Sequence, residues 1–87
     1  MDDGPSIEMP RYKSHKTVHA LKIKGVNAID DGSIVLTFEE QNYAGLKRDN
    51  EWAVKHKPEV GGYYVVYADG YTSYSPAKAF EEGYTRI

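Results

Sequence analysis

The chain has 87 residues, no cysteine and a formal net charge of −2. That length points to one small domain, burying roughly 60–65% of the surface its unfolded chain exposes, and without cysteine neither disulfides nor zinc–thiolate sites can staple it. The charge balance gives no basic footprint for nucleic acid, and no apolar run approaches the ~18 residues a spanning helix needs.

Residues 1–10 read as a flexible N-terminal tail, and 11–87 as a single small α+β domain. The tail holds Gly4, Pro5 and Pro10 with Asp2, Asp3 and Glu8, and has no periodic apolar pattern. It lacks an apolar stretch behind basic residues, so no secretory signal is expected. Charge is uneven: residues 1–24 balance at +2 and the remainder at −4. Arg11 to Lys16 reads as a basic lead-in.

Thr17 to Ile29 is a long strand candidate, with Leu21, Ile23 and Ile29 on one parity and Lys22 and Lys24 on the other. Asp31-Gly32 suits a two-residue hairpin loop, and Ser33 to Phe38 is the return strand. That register puts Ile29 opposite Ile34. Leu21, Ile23, Ile29, Ile34, Leu36 and Phe38 then share one face. Tyr43 to Leu46 is ambiguous. Asp49 or Asn50 can cap a short helix to about Lys57, stopped by Pro58. Trp52 and His56 lie four apart on it and share a face.

Tyr63 to Tyr67 is apolar on both faces, as a central strand is. A second Asp-Gly hairpin at Asp69-Gly70 would place Tyr63, Val65, Tyr67, Thr72 and Tyr74 on one face. Tyr64, Val66, Tyr71, Ser73 and Ser75 would take the other. Ser75-Pro76 reads as an N-cap followed by the first helical residue. Gly83 would close that helix at 76–82. Tyr84 to Ile87 is a last short strand, expected to pair with the long first strand. The expected core is Leu21, Ile23, Ile34, Leu36, Phe38, Trp52, Val65, Tyr67 and Phe80. The fold class expected is α+β: a small, twisted, antiparallel, partly barrel-like sheet of two hairpins plus a C-terminal strand, with two short helices.

No familiar chemistry assembles from these residues. His15 and His19 are four apart, but in a strand that is about 13 Å, too far to share a metal. The adjacent carboxylates Asp30-Asp31, Glu39-Glu40 and Glu81-Glu82 read as solvated surface. No serine sits in a Gly-x-Ser-x-Gly elbow. No catalytic residue, metal or cofactor is therefore assigned. Tyrosine is the unusual feature, with 8 tyrosines against 2 phenylalanines. Buried tyrosine needs a hydrogen-bond partner, whereas protein interfaces enrich the residue. Tyr64, Tyr71 and Ser73, on the more polar face of the second hairpin, are the candidate binding surface. Arg11, Tyr12, Lys13 and Lys16 form a secondary basic patch with an interleaved ring, a pattern used on single strands.

Three segments resemble a family of small, uncharacterised tailed-phage and prophage proteins. They are His15-Lys16-Thr17-Val18-His19-Ala20-Leu21-Lys22-Ile23, the hairpin from Gly62 to Tyr71, and Ser75-Pro76-Ala77-Lys78-Ala79-Phe80-Glu81-Glu82-Gly83-Tyr84. The resemblance spans about residues 10–87 and is most specific in the last third. It implies a phage or prophage accessory protein acting in the host cytoplasm. The expected function is a non-enzymatic binding protein. It would inhibit a host defence protein or sequester a small ligand, with self-association possible for so small a core. A nucleic-acid-binding regulator and a small nucleotide-acting enzyme are the alternatives.

Overall fold

The structure, a computed structural model, describes residues 9–13 and 17–87. The elements are β1 (Arg11–Lys13), β2 (Thr17–Ala28), β3 (Ile34–Phe38), β4 (Leu46–Arg48), α1 (Asn50–His56), β5 (Tyr63–Val66), β6 (Thr72–Ser75), α2 (Ala77–Gly83) and β7 (Thr85–Arg86). The class is α+β, as expected: an antiparallel sheet of seven strands and two short helices among the described residues. No described helix is long and apolar enough to cross a membrane.

β2 is the strand through which the sheet is joined. Its N-terminal half pairs with β1 and with β5, and its C-terminal half pairs with β3. Ile23 turns both backbone groups toward the start of β5, its amide donating to the Gly62 carbonyl at 2.8 Å and its carbonyl accepting from Gly61 at 2.9 Å. On the other edge the Ala20 amide donates to the Pro10 carbonyl, and the Lys22 carbonyl accepts from Glu39. β3 carries β4, and β5 carries β6. Strands β2 to β6, with α1 between β4 and β5, follow the connectivity of a partly open OB-type barrel. The barrel stays open because β4 and β6 do not pair. β7 pairs with β1 rather than with the long strand expected from sequence.

Alternation along β2 and β5 supplies two cores. Leu21, Ile23, Tyr64 and Val66 face one, which β3, β4 and Trp52 of α1 complete. Val18, Ala20, Tyr63 and Val65 face the other, which α2 covers with Phe80. Both faces being apolar fits the central place of β5, between β2 and β6. Each large apolar side chain so buried stabilises by about 1.5–3 kcal/mol. Of the expected core only Tyr67 is not fully buried. Met9, assigned to the tail from sequence, is buried in the first core, and Pro10 bonds to β2 as noted.

Both hairpins turn through three residues, not two. The amide of Ile29 donates to Ser33 and that of Gly32 to Ile29, each at 2.9 Å. Tyr67, Gly70 and Tyr71 repeat the pattern. Gly32 (φ 87°) and Gly70 (φ 91°) take the left-handed conformation that a type I turn plus bulge requires. Asp31 and Asp69 each accept a hydrogen bond from the amide two residues on, favouring the longer turn. Register therefore moves by one residue, and each return strand turns over.

In the first hairpin a bulge between Ile23 and Gly25 adds a second one-residue shift, which restores the faces. Leu21 and Ile23 thus stay inside with Ile34, Leu36 and Phe38. Ile29 is left exposed, contrary to expectation, and Val26 joins the margin of the core instead. The second hairpin has no such bulge. Tyr64 faces Tyr74 and Val66 faces Thr72, while Tyr63 and Val65 face Ser75 and Ser73.

The helix ends also differ in part. Asp49 caps α1 through the Trp52 amide at 2.9 Å, as expected. Ser75 belongs to β6, and Pro76 is the cap residue of α2, without a side-chain hydrogen bond. Gly83 is the last helical residue, and Tyr84 leaves the helix in an extended conformation.

Gly62 is buried against the Tyr74 ring, where an added Cβ would fall within 3 Å of ring carbons and the hydroxyl. Gly62→Ala should destabilise the fold by about 1–3 kcal/mol, read as a lower urea midpoint at unchanged slope.

Candidate functional site

The three tyrosine-hairpin candidates are dispersed by the register of β5 and β6. Tyr64 is 5% exposed and lies in the first core. Its ring centroid is 5.8 Å from that of Trp52 and 6.0 Å from that of Phe38, and its hydroxyl accepts from Arg48 Nη1 at 3.2 Å. Tyr71, at the hairpin tip, is 47% exposed. Ser73 is half-buried opposite Val65, on the sheet face away from Tyr64. The expectation that Tyr64 and Ser73 share an outer face with Tyr71 is thus corrected.

Strand alternation also divides the basic patch. Arg11 and Lys13 point outward from β1, while Tyr12 between them turns inward. Its ring meets Phe80 edge-on at 4.8 Å and Tyr63 at 5.9 Å, covering the second core. Lys16, like His15, lies outside the described residues.

The fold does bring together a set that the sequence leaves apart. Trp52 and His56, one turn apart on α1, have ring centroids 4.6 Å from each other. His56 then meets Tyr71 at 6.2 Å, and Tyr71 lies against Tyr67 at 5.9 Å. A row of rings therefore runs from the buried Trp52 out to the exposed hairpin tip. Two cations flank it: Arg48 is 5.4 Å from the Trp52 ring and Lys55 is 5.5 Å from the Tyr71 ring.

The row is held from both ends. The Asp49 cap fixes the start of α1, and Trp52 Nε1 donates to Thr72 Oγ1 at 3.0 Å, tying the helix to β6. The Asp69 carboxylate, accepting from the Tyr71 amide at 2.9 Å, fixes the tip. A shallow groove lined by Thr17, Tyr67, Ala68, Asp69 and Tyr71 adjoins it. The His56 pKa is lowered, first by burial and then by the charges of Lys55 and Arg48. Burial, then Tyr84 and Tyr71, raises that of Tyr67. The face offers an exposed tyrosine ring with the Lys55 ammonium on one side and the Asp69 carboxylate beside it.

A second polar cluster is a strut. Tyr63 donates to Glu81 Oε2 at 2.7 Å and Lys22 Nζ donates to the same oxygen at 3.0 Å, joining α2 to β5 and β2. These bonds, Tyr63 first, lower the Glu81 pKa. Among the described residues no group of three or more His, Cys, Asp or Glu is placed to hold a metal ion.

Sequence reasoning noted the Trp52–His56 spacing but missed Arg48 and Lys55 as members of the set. Their only signal was a cation close in sequence to an aromatic residue.

Comparison with known proteins places this fold beside a phage decoration protein. The chain is similar to the phage L decoration protein, known from an NMR solution structure of its monomeric form, with a TM-score of 0.73 and 33% sequence identity. The similarity covers 97% of this chain, which spans 65% of that protein's length. No protein-family model and no curated protein matches the chain. The kinship with phage proteins expected from sequence is thereby supported; the finer identification with a small uncharacterised family is not.

Tyr64→Ala should cost about 3–5 kcal/mol, as for other large core truncations. Tyr71→Ala should change stability by less than about 1 kcal/mol. Paired urea melts will show the difference. His56 binds a proton less readily in the folded protein than in the unfolded chain, whose value is near 6.5. Its contribution to stability is therefore full above that pH and is lost as pH falls through it toward the folded pKa. Between pH 7.5 and 5 the melting temperature of the wild type should fall further than that of His56→Gln.

Proposed function

We propose that this chain is a non-enzymatic phage decoration protein, a structural accessory that binds the outer surface of an assembled capsid. The likeness to the phage L decoration protein over nearly the whole chain carries this reading. At 33% identity with a TM-score of 0.73, the likeness extends to sequence as well as fold. Fold alone would support far less, since OB-type barrels host many functions.

The reading keeps the non-enzymatic binding role and the phage origin expected from sequence. It changes the partner. A host defence protein or a small ligand was expected; a virion surface is better supported by the likeness. Capsid and protein would meet in the host cytoplasm, where heads assemble.

The test is sedimentation with heads purified from a mutant of the encoding phage that lacks this gene. The protein should pellet with heads and saturate at a fixed number of copies per particle. Protein remaining in the supernatant at every ratio would remove the proposal.

A further inference from the structure

Two Asp-Gly pairs, Asp31-Gly32 and Asp69-Gly70, stand at equivalent places in the two three-residue turns. The dipeptide carries its own chemistry. Glycine has no side chain to hinder its amide nitrogen, which can attack the aspartate Cγ. The N–Cγ bond forms and a Cγ–O bond breaks, and the carboxyl oxygen leaves as water with the amide proton. Water then reopens the cyclic imide at either carbonyl. Opening at the main-chain carbonyl gives isoaspartate, whose backbone runs through Cβ and Cγ and whose carboxylate sits on Cα.

The two turns restrain this attack unequally. In both, the glycine amide donates to the carbonyl three residues back at 2.9 Å, Gly32 to Ile29 and Gly70 to Tyr67. At the first turn the Asp31 carboxylate also accepts from the amide and the hydroxyl of the buried Ser33, and Lys47 lies 3.8 Å away. The Gly32 carbonyl accepts from Asn50 Nδ2 at 3.0 Å, and Asn50 fills the space beside Gly32. The Ser33 bonds, hydroxyl first, lower the Asp31 pKa, leaving less of the protonated acid from which water departs readily. At the second turn the Asp69 carboxylate accepts from the Tyr71 amide at 2.9 Å, its one hydrogen bond among the described residues. Ala68 to Tyr71 are all exposed, and nothing packs within 4 Å of where a Gly70 Cβ would stand.

We propose that Asp69-Gly70 is a site of spontaneous isoaspartate formation in the folded protein, and that Asp31-Gly32 is protected by its turn. Cyclisation requires the Asp–Gly peptide plane to rotate until the nitrogen meets Cγ, so the turn must first open locally. At the second turn that breaks the Gly70–Tyr67 and Tyr71–Asp69 bonds. At the first it breaks their counterparts, and the Ser33 hydroxyl and Asn50 bonds besides. The modification falls beside Tyr71, whose ring stands against Tyr67 and His56. It adds one carbon to the main chain of the turn and removes the side-chain carboxylate that fixes the Tyr71 amide.

The full chain is held for weeks at neutral pH and body temperature, with a second sample in concentrated urea, then digested. Isoaspartate is located in each peptide by electron-transfer mass spectrometry and counted by enzymatic methylation. In the folded protein it should accumulate roughly tenfold faster at 69 than at 31, because each further hydrogen bond held at the first turn lowers the open population several-fold. In urea the two rates should converge. Ser33→Ala/Asn50→Ala should raise the rate at 31 toward that at 69. Asp69→Glu, which keeps the charge but would need a six-membered ring, should stop modification there. Equal rates at the two sites in the folded protein would overturn the proposal. So would an unmodified Asp69 in the folded chain beside a reactive one in urea, or an unchanged rate at 31 in the double variant.

Discussion

Strands β2 and β5 lie side by side with apolar side chains on both faces, and the rest of the chain serves to cover them. A small domain has little interior to spend. This one divides it into two thin cores on either side of a shared pair of strands. Each core is closed by one short helix that could not hold its shape alone. Trp52 docks α1 on one side and Phe80 docks α2 on the other. Stacked aromatic contacts explain how so short a helix as α2 suffices: Phe80 lies 4.3 Å from Tyr63 and 4.6 Å from Tyr84, centroid to centroid.

The tyrosine surplus follows partly from this economy. Tyr63 and Tyr64 are adjacent in sequence and serve opposite cores, each with its hydroxyl satisfied, one by Glu81 and the other by Arg48. A thin core lets a buried ring reach a polar group at the rim. Tyr71 is different. It stands at the hairpin tip with nearly half its surface open, braced on α1 and Tyr67. Of the tyrosines described, most are structural and Tyr71 is the one left half open.

The same geometry makes a decoration role physically reasonable. The hairpin tip meets the last turn of α1 through the His56–Tyr71 ring contact, and the Trp52–Thr72 hydrogen bond ties the helix to β6 one turn earlier. The chain spans 65% of the phage L protein's length.

Composition and periodicity alone determined the fold class, the two Asp-Gly hairpins, both helices and eight of the nine expected core residues, because burial of alternating apolar residues is a local pattern. They could not decide the register of the second hairpin. There the Asp69 side chain and the left-handed Gly70 select a three-residue turn, and one residue of shift exchanges every side chain between faces. That shift took Ser73 and Ser75 away from the Tyr64 face and put Thr72 and Tyr74 on it, and Tyr64 lies in the core because β3, β4 and Trp52 cover that face. In the first hairpin the same shift was hidden, because the bulge in β2 turned the strand back. The cluster of Trp52, His56, Tyr71, Lys55 and Arg48 was beyond sequence for another reason. Its members come from β4, α1 and the β5–β6 tip, and only the packing of Trp52 against β6 sets the distance between them.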